Sequence, residues 1–527
     1  MSQSGQRRMG GQPMFILSEE SERTQGKDAQ SSNIAAGKAI SEAVRTTLGP
    51  RGMDKMLVSD SGDVVITNDG ATILDEMDIE HPAAQMLIEV SETQEEEIGD
   101  GTTTAAVLAG ELLAKAENLL EDDVHPTTIV EGYYEAAQLA HEAIDDQVVD
   151  EDVEELLASV AESSMTGKGT GDVAAHKLAE TVVDAIQRVS EDGDVDRDSV
   201  SVYTNTGSSS SATELVDGVI VDEDLAHDSM PRSAEDVTIG YVDDDVEIQD
   251  ANVDAEYNVT NVDQLNAALE AEEKELRKYA ETVIDLGIDV LFVDGDVDGQ
   301  VTSLLANEGI IVVDNASDRD YGQPLAHATG LTVVTSINEL EAEDLGAAET
   351  VRVEKFGGDD HVFVEGGADG KAVTVFARGG TDHVTDELER ALNDALDVVA
   401  AALSSGEVVP GAGGTEIAIS DYVREHAASI EGRKQLSVEA FADAVEVLPR
   451  TLAENTGMDP IDALVDLRSE YENEGRAGII SEGQTGVIDD PVEYGVLDPA
   501  AVKHEAIESA TEASTMIVRI DDVIAAN

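Results

Sequence analysis

Ile98-Gly99-Asp100-Gly101-Thr102-Thr103-Thr104 is the stretch on which the reading of this chain turns. A carboxylate-rich segment of helical pattern, Met86 to Glu97, runs into it, and an apolar one, Ala105 to Leu120, runs out. Two glycines let the backbone approach a ligand and take angles that a β-carbon forbids. The amides of Thr102, Thr103 and Thr104 then stand at a helix N-terminus, where unpaired N–H groups and the helix dipole favour an anion. Asp100 adds a carboxylate able to hold a metal that bridges phosphate oxygens. The same residues also make an ordinary Gly turn with a Thr N-cap, so at this level both readings stand.

Upstream, Asn33 to Thr47 has helical spacing, with Ile34, Ile40 and Val44 near one face, and stops at Leu48-Gly49-Pro50-Arg51-Gly52. Met14-Phe15-Ile16-Leu17 reads as an edge strand. Lys55 to Val58 and Val64 to Thr67 read as two strands around a Ser-Asp-Ser-Gly turn, and Asn68-Asp69-Gly70 turns the chain into a helix. Long helices fill the stretch to about Gln147. Beyond it, helical segments flank the Gly-rich loop Met165-Thr166-Gly167-Lys168-Gly169-Thr170-Gly171. From Leu215 to about Gly367, short apolar strands (Val290 to Val293, Ile310 to Val313, Leu331 to Val334) alternate with helices, which reads as an α/β domain inserted into the chain. Thr374 to Phe376 and the helix Asp386 to Leu403 lead out. A second Gly loop, Pro410-Gly411-Ala412-Gly413-Gly414-Thr415, then opens a helical C-terminal part.

Over 527 residues the chain has room for two to four domains. It carries 114 Asp and Glu against 31 Lys and Arg, a net charge of −83. The acid recurs from Glu19 to Asp522 on otherwise amphipathic patterns, so it is a solvated surface rather than a tail. At molar salt the Debye length is about 3 Å and the self-repulsion is screened, which points to a high-salt cytoplasm. The same charge opposes nucleic-acid binding, which calls for a basic face. With no cysteine there is no disulfide and no thiolate metal site. No run reaches the ~18 apolar residues of a membrane span, and the N-terminus has no apolar signal core. A soluble, cytoplasmic protein is expected.

Several motifs are excluded. There is no G-x-x-x-x-G-K-[ST] and no G-x-G-x-x-G, and Gly167-Lys168-Gly169 lacks the P-loop spacing. Asp294-Gly295-Asp296-Val297-Asp298-Gly299 imitates an EF-hand loop, but Leu305 stands where a bidentate Glu is required, so it reads as an acidic turn. The ten histidines include no H-E-x-x-H. The helix from Leu265 to Val283 reads as a surface helix. What remains is a set of small-residue turns, each with one charged group. Phosphoryl transfer to water needs a backbone cradle, a metal with a carboxylate ligand and an acid to orient water.

Thr47-Leu48-Gly49-Pro50-Arg51-Gly52-Met53-Asp54-Lys55-Met56-Leu57, Thr67-Asn68-Asp69-Gly70-Ala71-Thr72-Ile73-Leu74 and Gly99 to Thr104 closely resemble signatures of the group II chaperonins, the family of the archaeal thermosome and the eukaryotic cytosolic chaperonin. Glu80 to Ala84, Ala377 to Thr381, Pro449 to Asn455 and Arg519 to Asp522 match as well, so the resemblance spans residues 13 to 526 in order. With the charge, it implies a member from a halophile. It implies a multidomain fold: a mostly α-helical equatorial ATPase domain (18–148 and 406–527), a small α/β intermediate hinge domain (149–217 and 370–405), and an inserted α/β apical domain (218–369) with a helical lid protrusion, its lid helix within Asp254 to Tyr279.

The resemblance further implies ATP and Mg²⁺ as cofactors, with K⁺ as the ambient monovalent ion. Asp100 would be the metal ligand and Gly101, Thr102, Thr103 and Thr104 the phosphate cradle. Thr47, Leu48, Gly49 and Pro50 would line the nucleotide pocket opposite Gly413 and Gly414, with Asp498 and Lys503 at the nucleoside end. Asp386 would orient the attacking water, assisted by Asp69, and Lys168 would sense the γ-phosphate. The implied partners are non-native protein clients and a homo- or hetero-oligomeric double ring of eight subunits per ring, with no nucleic acid and no membrane. The implied function is an ATP-hydrolysing chaperonin that encloses unfolded proteins. The alternatives are an ATP-binding scaffold subunit with little turnover of its own, and an ATP-dependent small-molecule enzyme, for which no acceptor-substrate motif is present. Gln85 and Thr385 depart from the family's Lys and Val. Val312 to Asp318 lacks the family's basic residues on the client-facing surface.

Overall fold

The computed structural model describes residues 22–525 except 60–61, 63, 169–174, 192–193, 249–261, 368–371 and 483–484. The strand reading of Met14 to Leu17 and residues 254–261 of the lid-helix region lie outside the described residues.

The helix Thr102–Glu121 forms the axis of the first core, with 11 of its 20 residues buried. Its sequence alternates alanine with leucine and valine, and small side chains let neighbouring helices approach closely. Lys27–Val44, Pro82–Ile98, Lys434–Val445 and Ala500–Val518 pack around it, so both chain ends build one core. The ends are also tied backbone to backbone. Glu22–Gln25 pairs antiparallel with Asp522–Ala525, and Gly26 N–H donates to Asp521 O at 2.7 Å.

A second core joins the helices Val153–Met165, Ala175–Val189 and Asp382–Ser405 to a three-stranded sheet. In that sheet Val373–Gly379 lies between Val200–Thr206, to which it is parallel, and Glu214–Val216, to which it is antiparallel. The chain therefore leaves this layer after Val216 and returns into its middle at Val373.

Between those points lies a six-stranded mixed sheet, in the order Ile311–Val313, Val290–Val293, Ser233–Val242, Gly346–Phe356, Asp359–Gly367, Gly218–Val221. The parallel strands are apolar runs buried on both faces, as helix-covered parallel sheets require. Separate apolar clusters fill its two sides. One expected strand is absent: Leu331 to Val334 contributes a single bridge, Val334 to Val242. The Thr332 N–H instead donates to Asp344 O at 2.9 Å, which takes it out of any ladder.

The helix expected from Asn33 starts six residues earlier, as Lys27–Val44, and ends in the 3₁₀ turn Arg45–Thr47. The hairpin strands Lys55–Val58 and Val64–Thr67 stand where the sequence places them. The helix read from Leu265 to Val283 lies within Val262–Leu286, and buries Leu276, Tyr279, Ala280 and Val283 against the sheet. Asp298 caps the helix Gly299–Glu308, and Leu305 is fully buried, so the EF-hand-like loop is an acidic turn. No helix among the described residues is long and apolar enough to cross a membrane.

Candidate functional site

Segments of the first two cores meet around a cavity of about 420 Å³. One end is a helix start. Gly101 has φ +86°, which favours glycine, and a β-carbon on it would lie 3.0 Å from both Gln94 Nε2 and Val502 Cγ1. Ala105 N–H is the first to bond back, to Gly101 O at 2.9 Å, so the amides of Thr102, Thr103 and Thr104 precede the helical ladder at the cavity wall. Gln94 Nε2 donates to Asp100 O at 2.8 Å and fixes the loop. Burial pushes the Asp100 carboxyl up, against the pull of Lys168.

Asp69 lines the cavity from the side. It caps the helix Gly70–Asp75, accepting from Thr72 N–H at 2.7 Å. Thr47, Leu48, Gly49 and Pro50 form a second wall, and Gly413 and Ala412 a third, with the apolar side chains of Leu448, Leu452, Ile479 and Ile480 between them. Lys503 Nζ bridges Glu416 Oε1 and Asp498 Oδ2, each at 2.7 Å. Against the cost of burial, those two carboxylates hold its ammonium above the ordinary lysine range.

Lys168 follows the helix Val153–Met165 and reaches the cavity from the second core. It forms an ion pair with Asp394, on the helix Asp382–Ser405. Burial opposes the charge on Lys168, but Asp394, Asp100 and Asp69 together hold it above its usual range. Burial pushes the Asp394 carboxyl up to about 7, with Lys168 opposing and Asp69 and Asp100 adding to the rise. Three carboxylates thus share one ammonium at the phosphate-type end of the cavity.

Two residues expected at the site stand elsewhere. Asp386 is exposed near the start of the helix Asp382–Ser405 and does not line the cavity. Eight residues span about 12 Å of helix, and it is Asp394 that meets Lys168. Gly414 is buried behind the wall, where a β-carbon would press on Ala477 O at 2.9 Å. Missed from sequence were Asp394 and Glu416. Asp394 had a signal: it interrupts the inward face made by Leu388, Ala391, Leu392, Ala395 and Leu396. Glu416 had none, lying in a short run whose members are nearly all buried.

Among the described residues no group of three or more His, Asp or Glu could hold a metal by itself. The residues fit a cation that arrives with phosphate: magnesium takes one or two carboxylates plus phosphate oxygens, and Asp100 stands beside the free amides.

The chain is 63% identical to thermosome subunit 3 of Haloferax volcanii, over 98% of this chain and 99% of that one. It is 51% identical to thermosome subunit alpha of Halobacterium salinarum, over 98% and 92% of the two chains. Against thermosome subunit beta of Methanothermobacter thermautotrophicus the identity is 48%, over 98% and 96%. The TCP-1/cpn60 chaperonin family matches residues 40–527, so the chain belongs to that family.

Proposed function

We propose that this chaperonin binds and hydrolyses ATP in the cavity, and couples the cycle to enclosing non-native proteins in a double ring. The observation that carries the reading is the convergence of the Gly101–Thr104 helix start, Asp100 and Lys168 on one cavity with an apolar end, with Asp394, which does not itself line the cavity, paired to Lys168. The amides of Thr102 to Thr104 would bind phosphate oxygens, and Asp100 would hold magnesium on them. Magnesium supplies charge neutralisation on the phosphates when bound. Lys168 would meet the terminal phosphate. Asp394, in place of the exposed Asp386, would orient the attacking water and take its proton, with Asp69 assisting from the side of the cavity. Asp498 and Lys503 would face the nucleoside end.

Coupling follows from where these groups are anchored. Asp69, Asp100 and Thr102 stand on elements of the first core, whereas Lys168 and Asp394 stand on elements of the second. We assign these cores to the equatorial and intermediate domains, and the six-stranded unit with the helix Val262–Leu286 to the apical domain and its lid. A shift between the first two cores changes the set of groups around the phosphate. ATP therefore biases that shift by its differential affinity for the two arrangements.

Assembly is supported by the hairpin Lys55–Val58 and Val64–Thr67. Met56 and Val58 on it, and Met53 just before it, are more than half exposed on a chain with a strongly acidic surface. The setting is a cytoplasm of high salt, with K⁺ as the ambient ion. The test is phosphate release with Mg²⁺ and ATP in molar KCl, on material sized by gel filtration, together with suppression of aggregation of a denatured client. Turnover by a large ring that also protects the client supports the reading. A ring that binds ATP without hydrolysing it would establish the scaffold alternative instead.

A further inference from the structure

We infer that Arg197 is a positioning residue for the hydrolysis proposed above, acting on Asp394 through the helix turn that bears it. This rests on the ATPase reading of the cavity. Arg197 opens the 3₁₀ turn Arg197–Ser199, outside the cavity wall. Its Nε donates to Asp397 Oδ1 at 2.5 Å, its Nη2 to Asn393 Oδ1 at 3.0 Å, and its Nη1 to Val200 O at 2.8 Å. One planar guanidinium therefore grips the two residues that bracket Asp394, and anchors them to a strand of the three-stranded sheet. The rigid fork of arginine suits this, and a lysine reproduces only its charge.

The opposite side of the same turn rests on the phosphate-type loop. Gly99 has φ +72°, and a β-carbon built on it would lie 2.3 Å from Asp397 Cβ. The absence of a side chain at Gly99 lets the turn 393–397 seat directly on the loop that carries Asp100. Arg197 and Gly99 thus clamp the turn from two sides, and Asp394 projects from it toward Lys168.

Charge makes the clamp specific. Asp397 is about a quarter exposed, and it interacts with Arg197, with Asp100 and with Lys168. Burial pushes its carboxyl up and Asp100 adds to the rise, while Arg197 offsets part of it. Among the described residues Arg197 and Lys168 are the cations that act on Asp397, so without Arg197 it is left to compete with Asp394 for the Lys168 ammonium. Arg197 therefore keeps Lys168 committed to Asp394, and holds the carboxylate at the distance that water orientation needs.

The test is steady-state phosphate release, with ATP affinity measured separately by calorimetry, on assembled rings in molar KCl. Arg197→Ala should lower kcat roughly 10- to 100-fold, the scale of a small misplacement of a reacting group, with KM and ATP affinity within about two-fold of the parent. Arg197→Lys should lose less and still assemble, which covers the case in which the alanine variant does not. Adding Asp397→Asn to Arg197→Ala should restore most of the lost kcat, because the competitor for Lys168 is gone. A structural role would not give that rescue. If both single variants turn over like the parent, if affinity falls in step with kcat, or if the double variant is as slow as Arg197→Ala, the inference is wrong. A parent ring that does not hydrolyse ATP overturns the ATPase reading itself, which is a separate outcome.

Discussion

Lys168 and Asp394 stand 226 residues apart in sequence and form one ion pair whose lysine lines the cavity, with Asp69 and Asp100 both close enough to act on it electrostatically. The pair sits on elements of the second core and the two outer carboxylates on elements of the first, so the group of four exists only where the cores touch. Asp394→Asn should therefore keep ATP binding and lose on the order of 10²–10⁴ in turnover, the usual range for a positioned proton acceptor. Asp386→Asn, on the exposed first turns of the same helix, should stay within about two-fold of the parent. Phosphate release and ATP calorimetry on the two variants decide between the positions, and the reverse pattern would return the role to Asp386.

The pH dependence follows from the same carboxylate. Burial lifts Asp394 to about 7, well above its value in an unfolded chain. A water-orienting carboxylate must be ionised, so turnover should rise as pH passes through about 7 and level off above it. The stability sign is opposite. The folded state holds the proton more tightly, so this group favours folding at acidic pH, and that contribution is lost as pH rises through about 7. A rate profile flat between pH 6 and 8 would exclude Asp394 as the titrating group.

Much of this was legible in the sequence, and the misses share a cause. The hairpin Lys55–Val58 and Val64–Thr67 was legible because a Ser-Asp-Ser-Gly turn separates the apolar run Met56-Leu57-Val58 from the β-branched run Val64 to Thr67, a strictly local signal. The helix start at Gly101 was legible for the same reason. Asp394 was not read, although it interrupts an apolar helix face, because in a chain with 114 acidic residues that one break is easily taken for another surface acid. Its meaning lies in Lys168 across the domain seam, a contact that no local pattern encodes. Leu331 to Val334 failed similarly: apolar and β-branched, it reads as a strand, but its place beside Asp344 decides where its N–H groups go.

Glu446 offers a test of the C-terminal packing that is independent of the cavity. It sits between the helices Lys434–Val445 and Val447–Asn455 with only 2% of its side chain exposed, and accepts from Arg424 Nη1 at 2.6 Å, Arg468 Nε at 2.8 Å and Ser420 Oγ at 2.9 Å. Burial alone would raise its carboxyl, but the two guanidinium groups hold it below the usual carboxylate range. Glu446→Gln should cost about 3 kcal/mol near pH 7, the lower end for breaking a buried pair, since both arginines are partly exposed. A depressed folded pKa contributes stability above the unfolded value and loses it as pH falls through the folded one. The gap between parent and variant in urea midpoints, at fixed KCl, should therefore narrow below about pH 4. Equal midpoints at pH 7 would show that the triad contributes nothing net.

Assembly should depend on the exposed hairpin and on salt together. Met56 and Val58 are 66% and 64% exposed, and among the described residues the hairpin pairs with no other strand. A two-stranded ribbon is marginal alone in water, and an apolar one is an open template for a neighbouring chain. Replacing Met56 and Val58 with glutamate adds charge at a contact already opposed by a net charge of −83 on every subunit. Sedimentation in molar KCl should then show single subunits in place of the ring, with helical circular dichroism unchanged because Leu57, the strand residue packed against the first core, is left in place. The parent should come apart in the same way when KCl is lowered toward 0.1 M, where the Debye length grows from about 3 to about 10 Å and like charges on adjacent subunits repel. If the doubly substituted chain still sediments as a ring, the contacts between subunits lie on another face and the hairpin is a free surface element.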